Sequence, residues 1–260
     1  MLEPEKQKKT LILVTFSCIA LLATSFLIAE IFPDVIWKHY PVHSSIEVWG
    51  AATSIIVSVL LLTIYQRQDF KPEYFFAAVG MLGMGVFDGL HALYYAGNEF
   101  IALHSYATFF GGVAFSLIFF PVKKVSPQIV RYTPYLIFAF CLGFALLILP
   151  NTDLLLQMRD QNGFSSFARY LNISGGVGFI LASYRFAFPP KQLVREPDWV
   201  FALLSALFGV SGLLFEFSQL WDINWWLWHG IRLIAYLIVL WTIFNFYNHL
   251  SGRLQTSLKN

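Results

Sequence analysis

Glu47, Asp88, His91, His104, Glu216, His229 and Arg232 stand inside or at the edges of long hydrophobic runs. An ionisable side chain in hydrocarbon costs on the order of 2.5–3.5 kcal/mol on insertion scales, so a set gathered at one depth marks a site rather than drift. Asp88 and His91 are spaced i, i+3 and share one helix face, as do His229 and Arg232. Imidazole nitrogen and carboxylate oxygen suit zinc or iron, which makes Asp88, His91, His104 and His229 candidate metal ligands, with Glu47 or Glu216 beside them. Alternatively, Glu47, Asp88, Glu216 and Arg232 orient a small ligand between apolar walls. Two further readings stand beside these. Arg232 can pair with Glu216 or Asp88 as a purely structural network, and two histidines on adjacent helices can ligate haem, which ranks behind a divalent metal. His43 lies one turn before Glu47, and Gln219 one turn after Glu216.

The elements that must carry these residues are membrane spans. The chain is 57% hydrophobic and 12% charged, with a mean hydropathy of +0.63; soluble domains carry about 25% charge. Recurrent long apolar runs therefore predict an all-α, polytopic helix bundle of about eight spans. They are 10–31, 45–65, 74–95, 103–121, 134–149, 164–188, 199–220 and 227–248. The first follows Lys6, Lys8 and Lys9 as a signal peptide would, but lacks a small-residue cleavage site and reads as a retained span. A net charge of +2 and the absence of a basic stripe exclude nucleic acid as a partner. Cys18 and Cys141 have no metal or redox spacing and read as small apolar residues.

Charge sets the expected orientation. Lys6, Lys8, Lys9, Arg67, Lys71, Lys123, Lys124, Arg131, Lys191, Arg195, Arg253 and Lys259 fall on one side, and only Lys38 and Arg159 clearly on the other. The positive-inside rule puts both termini in the cytoplasm and the polar cluster toward the outer leaflet. Trp37, Trp221, Trp225, Trp226 and Trp228 then read as an interfacial aromatic belt. Arg169 is expected to snorkel, and Glu30 and Asp34 to be solvated. Gly80, Gly83, Gly85, Gly111, Gly112, Gly175, Gly176 and Gly178 read as close-packing faces rather than hinges. Neither an inverted repeat nor a phosphate-binding or nucleophile motif is present.

Residues 1–248 are thus expected to form the membrane domain and 249–260 an amphipathic exit helix, with Leu250, Leu254 and Leu258 on one face. The stretch GMGVFDGLHALYYAGNEFIALHSYATFFGGVAFSLIFFP, from Gly83 to Pro121, resembles bacterial membrane-associated sensor domains of the MASE type. The resemblance rests on Asp88-x-x-His91, on His104 and on Glu47 within SSIEVWG, and covers about a third of the chain. Such domains head histidine kinases and diguanylate cyclases. The resemblance implies signal perception in the bacterial cytoplasmic membrane, a cytoplasmic output module as partner, and a homodimer. Because no kinase or cyclase sequence precedes Asn260, the expectation is an isolated input domain or one acting on a separate partner, with any enzyme activity outside this chain. The rival expectation is an intramembrane metal-dependent lipid hydrolase, with Asp88 or Glu216 as base.

Overall fold

Serine, aspartate and proline at the heads of apolar runs start several of the helices. Ser126 accepts from the Ile129 N–H at 3.3 Å, with Pro127 in the first turn, and Ser165 accepts from the Ala168 N–H at 3.2 Å. Asp222 accepts from the Trp225 N–H at 2.6 Å. Each cap satisfies a donor that the first helical turn would otherwise leave unpaired.

A computed structural model describes residues 4–67, 72–120, 125–151, 154–160, 163–189 and 196–257. Within them lie eight α-helices: α1 (Pro4–Ile31), α2 (Tyr40–Arg67), α3 (Pro72–His91), α4 (Asn98–Ser116), α5 (Pro127–Ile148), α6 (Ser166–Ala187), α7 (Glu196–Leu214) and α8 (Ile223–Ser257). Short 3-10 turns follow α4 at Leu117–Phe119 and α7 at Phe215–Phe217. A small hairpin, β1 (Arg159–Asp160) and β2 (Gly163–Phe164), precedes α6.

The chain is all-helical, and six of these helices are long and apolar enough to cross a membrane: α2, α3, α4, α5, α7 and α8. Among the described residues α1 contributes the apolar stretch Thr15–Ile31, and α6 is diluted by Arg169, Asn172 and Arg185. Several expected boundaries move. Pro134 lies inside α5 rather than at its start, because the Ser126–Pro127 cap begins the helix two turns earlier. His104 lies in the second turn of α4, which begins at Asn98.

Burial fixes the layout. In α3, 78% of the most apolar window is buried, against 22% in α5, so α3 is central and α5 peripheral. Tyr135, Leu136, Phe140, Leu146 and Leu147 of α5 are exposed, as side chains facing lipid would be. Helices in lipid gain little from apolar burial and associate through close packing and hydrogen bonds. The glycines serve that packing. A side chain on Gly112 would collide with the backbone of Gly175, and one on Gly175 with the Thr108 carbonyl, so α4 and α6 touch backbone to backbone. Gly176 meets Gly209 and Gly212 of α7 in the same way. At the end of the bundle away from the polar cluster, Arg185 pairs with Glu73 at 2.9 Å and the Tyr74 hydroxyl donates to Asp198 at 2.5 Å.

The last helix is continuous from Ile223 to Ser257, 35 residues or about 52 Å at 1.5 Å per residue. The hydrocarbon core of a bilayer is about 30 Å thick, so the helix exceeds a single crossing. The side chains of Leu250 and Leu254 and the whole of Leu258 lie outside the described residues, as do Lys71, Lys123, Lys124, Lys191, Arg195 and Lys259.

Candidate functional site

The start of α2, the end of α3, the start of α4 and the start of α8 meet at one end of the bundle. Each brings polar side chains to that level: His43 and Glu47 from α2, Asp88 and His91 from α3, His104 from α4, His229, Arg232 and Tyr236 from α8. All eight are buried; His43, Asp88, His91 and His229 are each 1% exposed. Six of the seven residues singled out from the sequence converge here. The seventh does not.

Two layers can be distinguished. In the first, three imidazoles point their Nε2 atoms at one another. His43 Nε2 lies 3.2 Å from His229 Nε2 and 3.3 Å from His91 Nε2. Glu47 Oε1 is 3.1 Å from His229 Nε2 and 3.9 Å from His43 Nε2. The opposite ring nitrogens are tied to the backbone. His91 Nδ1 is 2.6 Å from the Phe100 carbonyl, and His229 Nδ1 2.6 Å from the Trp225 carbonyl. A carbonyl only accepts, so both Nδ1 atoms must donate. His43, Glu47, His91 and His229 offer one ligand atom each, all within 4.8 Å of one another, and could hold a metal ion.

In the second layer Arg232 is the hub. Its Nη2 donates to Asp88 Oδ2 at 2.5 Å, and its Nη1 lies 2.9 Å and 3.2 Å from the two ring nitrogens of His104. Tyr236 donates to the same Asp88 oxygen at 3.4 Å. The other oxygen, Asp88 Oδ1, has no hydrogen-bond partner among the described residues and lies 3.7 Å from His104 Nδ1. Glu47, Asp88 and His104 also place one ligand atom each within 4.8 Å of one another, so Glu47 borders both layers.

The expected ligand set of Asp88, His91, His104 and His229 is therefore divided. His91 and His229 lie in the nitrogen-rich layer, while Asp88 and His104 engage Arg232. Glu216 stands apart. Its carboxylate receives Arg169 Nη1 at 2.5 Å, both side chains being about one-third exposed, and it borders a polar cleft of about 250 Å³ beside α1. The cause is local: Glu216 lies in the 3-10 turn after α7, out of register with the helix that should have aimed it inward. Arg169 is thus paired and also donates to the Phe164 carbonyl, rather than reaching freely for solvent. Glu30 and Asp34 are exposed, as expected.

Three of the five tryptophans also depart from expectation, while Trp37 is exposed and Trp226 partly so. Trp225 is 1% and Trp228 2% exposed, and Trp221 is buried as well, so these rings wall the cluster instead of girdling the bundle. Trp225 and Trp228 centre 3.9 Å and 3.7 Å from the His229 ring, and Trp221 covers His43 at 5.6 Å. Trp221 has a φ of 73°, and its carbonyl accepts from the Trp37 N–H at 2.9 Å. Asp222, just outside α8, also accepts from the Gln219 N–H at 2.7 Å. Burial raises its carboxyl above the ordinary aspartate range despite these donors.

Among the described residues, a void lined by His91 and His104 holds about 10 Å³, room for roughly one water and far too little for a porphyrin. Comparisons with protein-family models, with curated proteins and with solved structures find no match.

Proposed function

We propose that this chain is a membrane-embedded sensory input module. Its buried polar cluster binds a small ligand or metal ion, and its last helix carries the response to a cytoplasmic output. The carrying observation is the dual character of α8: its first turns supply His229 and Arg232 to the cluster, while the same helix runs on for about 52 Å in all. A ligand that favours one packing of α8 against α2, α3 and α4 changes the position of its far end, because a continuous helix transmits displacement.

In this reading all eight helices cross the bacterial cytoplasmic membrane, both termini are cytoplasmic and the cluster faces the outer leaflet. The asymmetry of lysine and arginine supports that orientation. The resemblance of Gly83–Pro121 to MASE-type domains supports a kinase or cyclase as output. The lipid-hydrolase alternative has less support. It needs an open ligand position reached by lipid, whereas the Nε2 atoms are enclosed by Trp221, Trp225, Trp228 and Phe100.

The test is a diguanylate cyclase fused after Asn260, with output measured in cells for the wild type, Asp88→Asn, His229→Ala and Arg232→Met. Membrane insertion is checked in parallel. Altered output in the inserted variants is expected. Wild-type output from all three would overturn the proposal.

A further inference from the structure

The Nε2 atoms of His43, His91 and His229 and Glu47 Oε1 converge on one point, all within 4.8 Å of one another. In a tetrahedral site with metal–ligand bonds of about 2.0–2.1 Å, neighbouring ligand atoms lie about 3.3–3.4 Å apart. Three of the six edges, His43–His91 at 3.3 Å, His43–His229 at 3.2 Å and His229–Glu47 at 3.1 Å, approach that length, while His43–Glu47 is longer at 3.9 Å and the other two stay within 4.8 Å.

Proton counting reaches the same point independently. His91 and His229 each use the Nδ1 proton on a backbone carbonyl, so as neutral rings both present a bare lone pair at Nε2. His43 Nε2 can contribute at most one proton. With neutral rings and an ionised Glu47, one proton cannot satisfy three close contacts, one of which sets a ring lone pair against the carboxylate. Arg232, the cationic side chain buried nearby among the described residues, is engaged by Asp88 and His104. A metal ion at the centre answers all four acceptors together. The two Nδ1–carbonyl bonds are also the outer support that ligating histidines regularly have, fixing tautomer and ring direction.

From this geometry we infer that His43, Glu47, His91 and His229 form a closed tetrahedral site for one divalent transition-metal ion of the zinc class. The inference deepens the sensory reading and rests on it for its meaning, but the ion can be sought without any signalling assay. Three nitrogens and one carboxylate suit Zn²⁺, with Co²⁺ as a spectroscopic substitute. Asp88 and His104 are not ligands in this assignment. They hold Arg232, which sits one turn from His229 on the same helix face and keeps α8 in register against α3.

The experiment uses the full chain purified in detergent, stripped with a chelator and titrated with Zn²⁺ and separately with Co²⁺. Elemental analysis should give one equivalent, and Co²⁺ should produce the strong visible bands of a tetrahedral site. His43→Ala and His229→Ala should weaken binding by more than about 100-fold, beyond the 10–100-fold typical of an outer-sphere partner. His104→Ala should keep the one-equivalent stoichiometry and the Co²⁺ spectrum, since His104 faces Arg232. Size-exclusion profiles matching the wild type establish that the variants fold. Absence of metal uptake by the folded wild type would overturn the inference, as would loss in His104→Ala with retention in His43→Ala. Either failure leaves the sensory reading standing if the cyclase fusions still respond to cluster variants; unchanged fusions with intact metal binding would sink the sensory reading alone.

Discussion

Asp88 and Arg232 are a fully buried ion pair, each worth little to stability together and much when separated. Asp88→Asn or Arg232→Met alone should destabilise the folded state by about 3–5 kcal/mol, because the partner charge is left buried. The double variant Asp88→Asn/Arg232→Met should recover most of that loss. Denaturant titration of detergent-solubilised protein checks this, and purely additive losses would contradict it. At the Arg169–Glu216 pair, about one-third exposed, Glu216→Gln should cost less than about 1 kcal/mol and leave the cluster untouched. The same residues show what the sequence discloses. Glu47, Asp88, His91, His104, His229 and Arg232 were legible because charge is rare in hydrocarbon. His43 was visible only as the neighbour of Glu47, and its central place depends on ring directions that spacing does not encode. Tyr236 gave no signal, since tyrosine is common in spans, and Glu216 was misplaced because a 3-10 turn alters the helical register.

Among the elements, the α4–α6 contact is the most brittle. Gly112 and Gly175 meet with no room for even a methyl group. Gly175→Val should therefore force the two backbones apart and cost at least about 1–3 kcal/mol, the usual range for overpacking. Gly143, whose added methyl would meet nothing within 4 Å, is the control: Gly143→Ala should be neutral or slightly stabilising by thermal unfolding. The transmission role of α8 is equally exposed to test. Two glycines inserted after Asn248 should uncouple a fused output while the bundle stays intact, since glycine weakens a helix by about 1 kcal/mol per residue relative to alanine. Most helices were legible from apolar runs. Their starts were less so: α4 and α5 begin earlier than hydropathy indicates because Asn98, Ser126 and Pro127 are polar or helix-opening residues outside the apolar count. The hairpin Arg159–Phe164 left no mark at all, two residues per strand being below any periodic signal.

At the scale of the whole molecule, the chain has two unlike ends. One gathers buried imidazoles and carboxylates under tryptophan; the other is tied by Glu73–Arg185 and Tyr74–Asp198. The proposed orientation makes the first end external. Lys38→Cys should then react with a membrane-impermeant maleimide from outside intact cells and Arg253→Cys only after lysis, and the reverse pattern would invert the topology. Bundle class and cluster depth followed from composition and charge, whereas the inward turn of the tryptophans did not, because belt and wall draw on the same residue type. One of those residues adds a dimension of time. Trp221 is held in a left-handed conformation that non-glycine residues seldom adopt, at a cost on the order of 1–3 kcal/mol, and its ring meets that of His43 edge-on at 5.6 Å. In the sensory reading, exchange of an occupant past His43 would have to displace this strained residue. Exchange slowed in that way would make such a sensor register how long its ligand has been present, and ignore a passing encounter.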